Sequence, residues 1–158
     1  MAAKKHEKLS SSLEDYLEAI FNLSSENKVA RSKDIAEVLG VSRASVTGAL
    51  RTLAERKLVN YKPYGFATLT KTGAEVAARI VKRHNVIKSF FVDVLGVDKA
   101  VAQEAACKAE HALGPAIITR LLSFIEFVGC GNENSINLTE EFRRYCEQSQ
   151  SKRDGLAD

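Results

Sequence analysis

The stretch from residue 31 to residue 72 constrains the fold more than any other part of the chain. Apolar residues recur there at helical spacing in two short segments, the first ended by Gly40 and the second capped by Ser42. The pattern then becomes that of two strands around the turn Lys62-Pro63-Tyr64-Gly65. This layout is typical of a winged helix-turn-helix, whose second helix fits the DNA major groove. An ordinary helix pair and hairpin of an α+β domain is the alternative.

The polar face of the second helix indicates how DNA would be bound. Its apolar stripe faces inward, while the opposite face is polar or small, as a surface that approaches a groove and donates hydrogen bonds must be. Lys62 lies at the tip of the expected wing, where it would contact phosphate, and Ser32 is expected to cap the first helix. The candidate DNA-binding residues are Ser32, Lys33, Ser42, Arg43, Ala44, Ser45, Thr47, Gly48, Arg51 and Lys62.

Composition narrows the class of protein. With 158 residues and 45% hydrophobic residues, the chain has enough for one domain or two small ones. It contains no apolar run of the roughly 20 residues that span a membrane and no signal peptide, so we expect a cytoplasmic protein without a disulfide framework. Residues 1–83 carry fifteen Lys and Arg against nine Asp and Glu, whereas residues 84–158 carry eight against eleven. A basic half beside an acidic half suits a DNA-binding domain joined to a second domain, although such asymmetry is common on solvated surfaces.

Outside the hairpin, helical spacing continues, which predicts a mainly α fold: an N-terminal winged helix-turn-helix followed by an all-helical domain. The expected further helices are one capped by Ser12, one opened by Gly73 over about 74–95, one capped by Asp98 to about Leu113, one starting at Pro115, and a short one from Thr139 to Cys146. We therefore expect a DNA-binding domain at 1–73 with a flexible basic tail at 1–11, a helical domain at 74–147, and a disordered tail at 148–158. The helix from Pro115 is apolar enough to predict a dimer interface, with ordinary core as the alternative.

A second set of residues has the chemistry of a metal site. Cys107, Glu110 and His111 lie at i, i+3 and i+4, so their thiolate, carboxylate and imidazole share one helical face. Such a set suits a divalent transition metal. His84 adds an imidazole from an apolar stripe, and the pair Asp15 and Glu18 lies at i, i+3 beside another apolar face. A hydrogen-bonded core histidine and solvated carboxylates remain the alternatives.

Five segments in succession resemble the DtxR/MntR family of metal-dependent transcriptional repressors. They are SLEDYLEAIFNL (12–23), SKDIAEVLGVSRASVT (32–47), LTKTG (69–73), RIVKRH (79–84) and EAACKAEHALG (104–114). The resemblance covers about residues 10–130, and it implies a cytoplasmic homodimer that binds operator DNA upstream of metal-uptake genes when Fe(II) or Mn(II) is bound. By position, it also implies that the metal ligands are Asp15, Glu18, His84, Cys107, Glu110 and His111.

The chain mixes features of the two branches of that family. Asp15 and Glu18 resemble the manganese-responsive branch, whereas Cys107 resembles the iron-responsive branch. Gln103 and Lys88 stand where a histidine and a glutamate of the second iron-branch site would be, which argues against that site. The chain also stops too early to contain the SH3-like domain of the iron branch. Because a thiolate favours softer metals, we expect Fe(II) rather than Mn(II), with Co(II), Ni(II) or Zn(II) as surrogates.

Other functions are open at this point. A winged-helix regulator could instead respond to a small organic effector, or to redox through Cys107. A metalloenzyme is disfavoured because the chain lacks a His-Glu-x-x-His pair and a glycine-rich phosphate loop. Cys130 and Cys146 are expected to be buried small hydrophobes, with a redox or accessory metal pair as the alternative.

Overall fold

The computed structural model describes residues 9–25, 29–62, 65–129 and 138–154, and these residues form seven α-helices, one π-helical turn and three short strands. The chain divides into two compact units, Met1–Val81 and Lys82–Asp158. The predicted fold class, a winged helix-turn-helix followed by a helical domain, is confirmed. The boundary between the units lies inside the fourth helix, whereas the sequence places it after Gly73, because the first turns of that helix contribute Ala77 and Ile80 to the core of the first unit.

The first unit combines a helical core with a small antiparallel sheet. Its elements are α1 (Ser11–Ser25), β1 (Ala30–Arg31), α2 (Ser32–Leu39), α3 (Arg43–Glu55), β2 (Val59–Tyr61), β3 (Phe66–Leu69) and the first part of α4 (Lys71–Ser89). The strand order is β1-β3-β2, with Ala67 of β3 opposite both Tyr61 of β2 and Ala30 of β1. The sheet is therefore the expected hairpin extended by a two-residue strand, which the sequence did not predict.

The core of the first unit fixes the orientation of α3. Leu17 and Ile20 of α1, Ile35 of α2, and Leu50 and Leu53 of α3 are fully buried together. Burial of such side chains contributes about 1.5–3 kcal/mol each. Because the apolar stripe of α3 is held inward, the polar face of this helix is directed to solvent.

The second unit is helical throughout its described part. It contains the rest of α4, a π-helical turn (Phe90–Val94), α5 (Lys99–Glu110), α6 (Pro115–Gly129) and α7 (Leu138–Asp154). Ile87, Ala102 and Ala106 are buried, and the ring of Phe90 meets that of Phe124 edge-on at 6.1 Å between centroids. None of the residues of α6 is buried within the single chain, although the helix is strongly apolar.

Several predicted helix boundaries are confirmed in atomic detail. Gly40 ends α2 in the left-handed conformation at φ 64°, and the Ser42 hydroxyl accepts a hydrogen bond from the Ser45 backbone N–H at 3.1 Å. The Asp98 carboxylate accepts from Ala100 and Val101 at the start of α5. Pro115 is the first residue of α6, where its missing N–H costs nothing.

Other predicted caps are wrong by one to three positions. Ser10, not Ser12, precedes α1 and accepts from the Leu13 N–H with its hydroxyl. The N-cap of α2 is Arg31 without a side-chain cap bond, so Ser32 is the first helical residue instead. Thr70, not Gly73, caps α4: its hydroxyl accepts from the Gly73 N–H at 3.0 Å and donates to the Lys57 carbonyl at 2.8 Å.

Gly73 is required for a different reason, the close approach of two backbone segments. A Cβ on this residue would lie 1.8 Å from the carbonyl oxygen of Leu58, at the start of the hairpin. The glycine thus lets α4 pack directly on the wing, which sequence spacing does not reveal.

The ends of three helices also differ from expectation. The long helix leaves α geometry at Ser89 and continues as the π turn before Gly96 at φ 69°, whereas regular helix was expected to about residue 95. α5 ends at Glu110, short of Leu113, because the chain turns at His111. α7 begins at Leu138 and continues to Asp154, so Thr139 is not its cap and the tail expected at 148–158 is helical through 154. Its Glu, Gln, Lys and Arg side chains are good helix formers.

Further expectations concern two cysteines, the wing turn and the basic tail. Cys146 is exposed on α7 rather than buried, and Cys130 lies outside the described residues. In the wing turn, the Gly65 N–H donates to the Lys62 carbonyl at 3.0 Å. Pro63, Tyr64 and most of the expected basic tail, residues 1–8, are outside the described part.

Candidate metal centre and DNA-binding surface

A buried ionisable pair lies in the second unit. His84 of α4 is 4% exposed, Glu110 at the end of α5 is 1% exposed, and the His84 Nδ1 lies 2.8 Å from the Glu110 Oε2. Among the described residues, the other buried positions are apolar. Charged groups are almost never buried unless they are paired, and these two residues pair with each other.

Cys107 and His111 surround this pair. The Cys107 Sγ lies 3.9 Å from the His84 Nδ1, and the His111 Nε2 lies 3.5 Å from the second carboxylate oxygen of Glu110, Oε1. The i, i+3, i+4 spacing accounts for this convergence, since the last turn of α5 and its C-cap residue His111, which keeps a helical conformation, bring all three side chains to one face. The four candidate ligands of the second unit are therefore brought together.

The Glu110 Oε1 atom tests whether this group fits a cation. It is buried and has no hydrogen-bond partner among the described residues. An unsatisfied buried polar atom costs about 1–3 kcal/mol, and more if charged. Two imidazoles, one thiolate and one such carboxylate are ligands that divalent transition metals prefer, so the residues fit a metal.

Asp15 and Glu18 belong to the first unit. They lie one turn apart on α1, both half-buried, beside the fully buried Leu17. Burial, with the charge of Asp15, raises the pKa of the Tyr16 hydroxyl, so Tyr16 stays protonated at neutral pH. The carboxylates thus lie at the edge of an apolar core.

Gln103 is a residue of this cluster that the sequence spacing did not identify. In the sequence, Gln103 is notable only because it occupies a position where the second site of the iron branch has a ligand. In the structure its side-chain nitrogen, Nε2, lies 3.0 Å from the His84 Nε2 and 3.9 Å from the Cys107 Sγ. Its position one turn before Cys107 was the available signal.

The predicted DNA-binding residues lie on α2, α3 and the wing. Arg43, Ser45 and Arg51 are exposed on α3, and the Ser42 and Ser45 hydroxyls are hydrogen-bonded at 2.9 Å. Thr47 is half-buried and donates its hydroxyl proton to the Arg43 carbonyl at 3.0 Å. Ser32 is half-buried at the start of α2, and the other exposed candidates are Lys33, Ser42, Ala44, Gly48 and Lys62. The exposed candidates thus include four cations, Lys33, Arg43, Arg51 and Lys62.

The chain matches two protein-family models in succession. Residues 8–67 match the N-terminal DNA-binding domain of iron-dependent repressors, and residues 70–132 match their metal-binding and dimerisation domain. The chain belongs to the DtxR/MntR family. Members of this family are metal-dependent transcriptional repressors that bind DNA and dimerise; they are not enzymes. No described helix combines the length and apolarity needed to cross a membrane.

Individual relatives support the DtxR/MntR assignment. An HTH-type transcriptional regulator of Methanocaldococcus jannaschii is 41% identical over 119 residues, which are 75% of this chain and 95% of that protein. The HTH-type transcriptional regulator MntR of Bacillus pumilus is 33% identical over 127 residues, 80% of this chain and 88% of that protein. A solved manganese-dependent transcriptional repressor, in complex with manganese, superposes with a TM-score of 0.68 at 30% identity. The match covers 73% of this chain and 53% of that one, so this chain spans about half of its length.

Proposed function

We propose that this chain is a homodimeric repressor of metal-ion homeostasis genes that binds operator DNA when Fe(II) is bound, with Mn(II) as the second choice. The proposal rests on the cluster of His84, Cys107, Glu110 and His111, in which one buried carboxylate oxygen has no hydrogen bond within the described part of the chain. Membership of the DtxR/MntR family supplies the coarser function.

Asp15 and Glu18 complete the proposed ligand set. Their positions match ligand positions of the family, and both are half-buried on α1. Their carboxylate oxygens are hard ligands of the kind that divalent cations bind, and their assignment rests on the family positions. These residues would then couple metal binding to the placement of α3, and such coupling is reciprocal.

Dimerisation is supported by the surface of α6. Ile117, Phe124 and Phe127 are 49%, 43% and 68% exposed. Exposed large apolar side chains on a strongly apolar helix favour an interface. In a twofold dimer two copies of α3 would face successive major grooves, about one helical turn apart.

The choice of Fe(II) rests on Cys107. A thiolate favours Fe(II), Co(II), Ni(II) or Zn(II), whereas oxygen-rich sites suit Mn(II). Since Zn(II) outcompetes Fe(II) in intrinsic affinity, the availability of each metal in the cell would also select.

Substitution of Glu110 tests the proposal. Glu110→Gln keeps the size of the side chain but removes the charge of a ligand. Loss of a residue that only hydrogen-bonds to a ligand lowers metal affinity by about 10- to 100-fold, and we expect a larger loss here. Metal-stimulated DNA binding in a gel-shift assay should disappear while circular dichroism shows a folded protein.

Glu104→Gln is the matched control. Glu104 lies on the same helix, where its exposed ion pair with Lys108 contributes little to stability, and metal response should stay at the wild-type level. Metal-stimulated DNA binding that persists in Glu110→Gln would refute this metal site.

A further inference from the structure

Gln103 joins two of the candidate ligands from an exposed position on α5. Its amide nitrogen is 3.0 Å from the His84 Nε2 and 3.9 Å from the Cys107 Sγ. Because Gln103 is exposed, its substitution should leave the fold intact. Its amide is nevertheless the hydrogen-bond partner of the Nε2 atom of His84, a residue that is 4% exposed.

The hydrogen bonds of His84 define its tautomer without bound metal. A neutral imidazole carries one proton, so one ring nitrogen donates and the other accepts. The Nδ1 faces the Glu110 Oε2 at 2.8 Å, and an ionised carboxylate only accepts. With an ionised Glu110 this geometry places the proton on Nδ1, and Nε2 then accepts from the amide NH₂ of Gln103.

The same geometry identifies the ring nitrogen that faces the other ligand atoms. Both the Glu110 Oε2, at 2.8 Å, and the Cys107 Sγ, at 3.9 Å, surround Nδ1 rather than Nε2. A cation shared with Glu110 and Cys107 would therefore take Nδ1. The ring then keeps one proton, but this proton has to be on Nε2, which becomes a donor.

We infer that Gln103 is the positioning residue of His84: its amide satisfies Nε2 as a donor in the metal-free protein and as an acceptor in the loaded protein. The inference rests on the proposed metal site and names a residue outside its ligand set. A primary amide has both an N–H donor and a carbonyl acceptor at nearly the same place, and rotation about one bond exchanges them. A carboxylate accepts only and a thioether does neither well, so glutamine suits a ring that changes tautomer.

Three variants separate this role from a structural one. Gln103→Met keeps the length of the side chain but loses the amide; we expect Zn(II) affinity to fall by about 10- to 100-fold, as for other lost partners of ligating histidines. Gln103→Glu retains an acceptor for the Nε2–H of the loaded state and should bind Zn(II) at least as well as the wild type. Gln148→Met makes the same replacement at an exposed site on α7 and should change nothing.

The tautomer is measured by ring-nitrogen chemical shifts of labelled histidine, with His84 assigned from a His84→Gln variant, on the full-length protein with and without diamagnetic Zn(II). The wild type should show a proton on Nδ1 without metal, and metal on Nδ1 with the proton on Nε2 after loading. Zn(II) on Nε2, or wild-type affinity in Gln103→Met, would overturn the inference while leaving the metal site in place. Absence of Zn(II) binding to the wild type would overturn the metal site and the inference together.

Discussion

Burial of His84 and Glu110 in the core has a desolvation cost. Removing ionisable groups from water costs several kcal/mol for each ion, and a good hydrogen bond recovers only part of that. Their 2.8 Å contact uses one carboxylate oxygen and leaves the other without a hydrogen bond among the described residues. A hydrophobic pair of similar volume would satisfy packing equally well, so packing alone does not account for this pair.

The proposed preference for Fe(II) depends on a single side chain, Cys107. Cys107→Glu replaces a soft thiolate with a hard carboxylate, so the ratio of Fe(II) to Mn(II) affinity should fall by about tenfold or more. Anaerobic competition titrations measure both affinities. Cys146→Glu, at the exposed cysteine of α7, is the matched control and should leave the ratio unchanged. An unchanged ratio in Cys107→Glu would mean that the thiolate is not a ligand.

At the scale of elements, the contact between α4 and the wing depends on Gly73. Gly73→Ala should destabilise the protein by about 1–3 kcal/mol, because its Cβ would overlap the Leu58 carbonyl oxygen, which belongs to backbone. Gly48→Ala, on the exposed face of α3 with no atom within 4 Å of a Cβ, should instead stabilise by about 0.5–1 kcal/mol. Urea unfolding measures both, and equal effects would contradict this packing.

The recognition role of α3 predicts a loss confined to DNA binding. Arg43→Ala and Arg51→Ala should each weaken binding by about 1–3 kcal/mol if they contact bases, or reduce the salt slope by about one if they contact phosphate. Fluorescence anisotropy at several salt concentrations separates the two cases, and metal affinity should stay nearly unchanged. Arg79→Ala removes the same charge from an exposed site on α4 as a control. Wild-type DNA affinity in both α3 variants would show that another face contacts DNA.

Sequence patterns predicted the helices and the hairpin because each has an apolar stripe or an alternation long enough to read. They failed where a single contact decides. β1 has two residues, too few for a period, and it exists because Ala30 and Arg31 pair with β3. The sequence predicts that Gly73 opens a helix, whereas the structure shows that it allows close approach to the Leu58 carbonyl. The sequence predicted Ser12 as the cap of α1, but the cap is Ser10, because each of several consecutive serines can cap a helix.

The sequence also predicted part of the candidate site. Helical spacing was sufficient to group Cys107, Glu110 and His111, and an imidazole in an apolar stripe marked His84. The contact between His84 and Glu110 joins residues 26 apart in sequence, which no local pattern encodes. Gln103 was missed because an amide is not a preferred metal ligand, and its role depends on which ring nitrogen faces it.

At the scale of the whole molecule, the proposed dimer depends on the apolar surface of α6. Phe127 is 68% exposed, so Phe127→Lys should not disturb the core of one chain but would bury a charge in an interface. We expect monomers by light scattering and a loss of DNA affinity. Val38→Lys, at a valine of α2 that is 60% exposed, is the control and should stay dimeric. A dimeric Phe127→Lys would exclude this part of α6 from the interface.

The link between metal and DNA is measured by anaerobic titration of the full chain with each metal in turn, reading affinity for a duplex selected from a random-sequence pool with Fe(II)-loaded protein. We expect DNA affinity to rise by about 5- to 150-fold on metal binding, the usual range of allosteric coupling, with Fe(II) acting at lower concentration than Mn(II). Affinity in chelator equal to that with metal would contradict a metal switch and favour a regulator that responds to another signal.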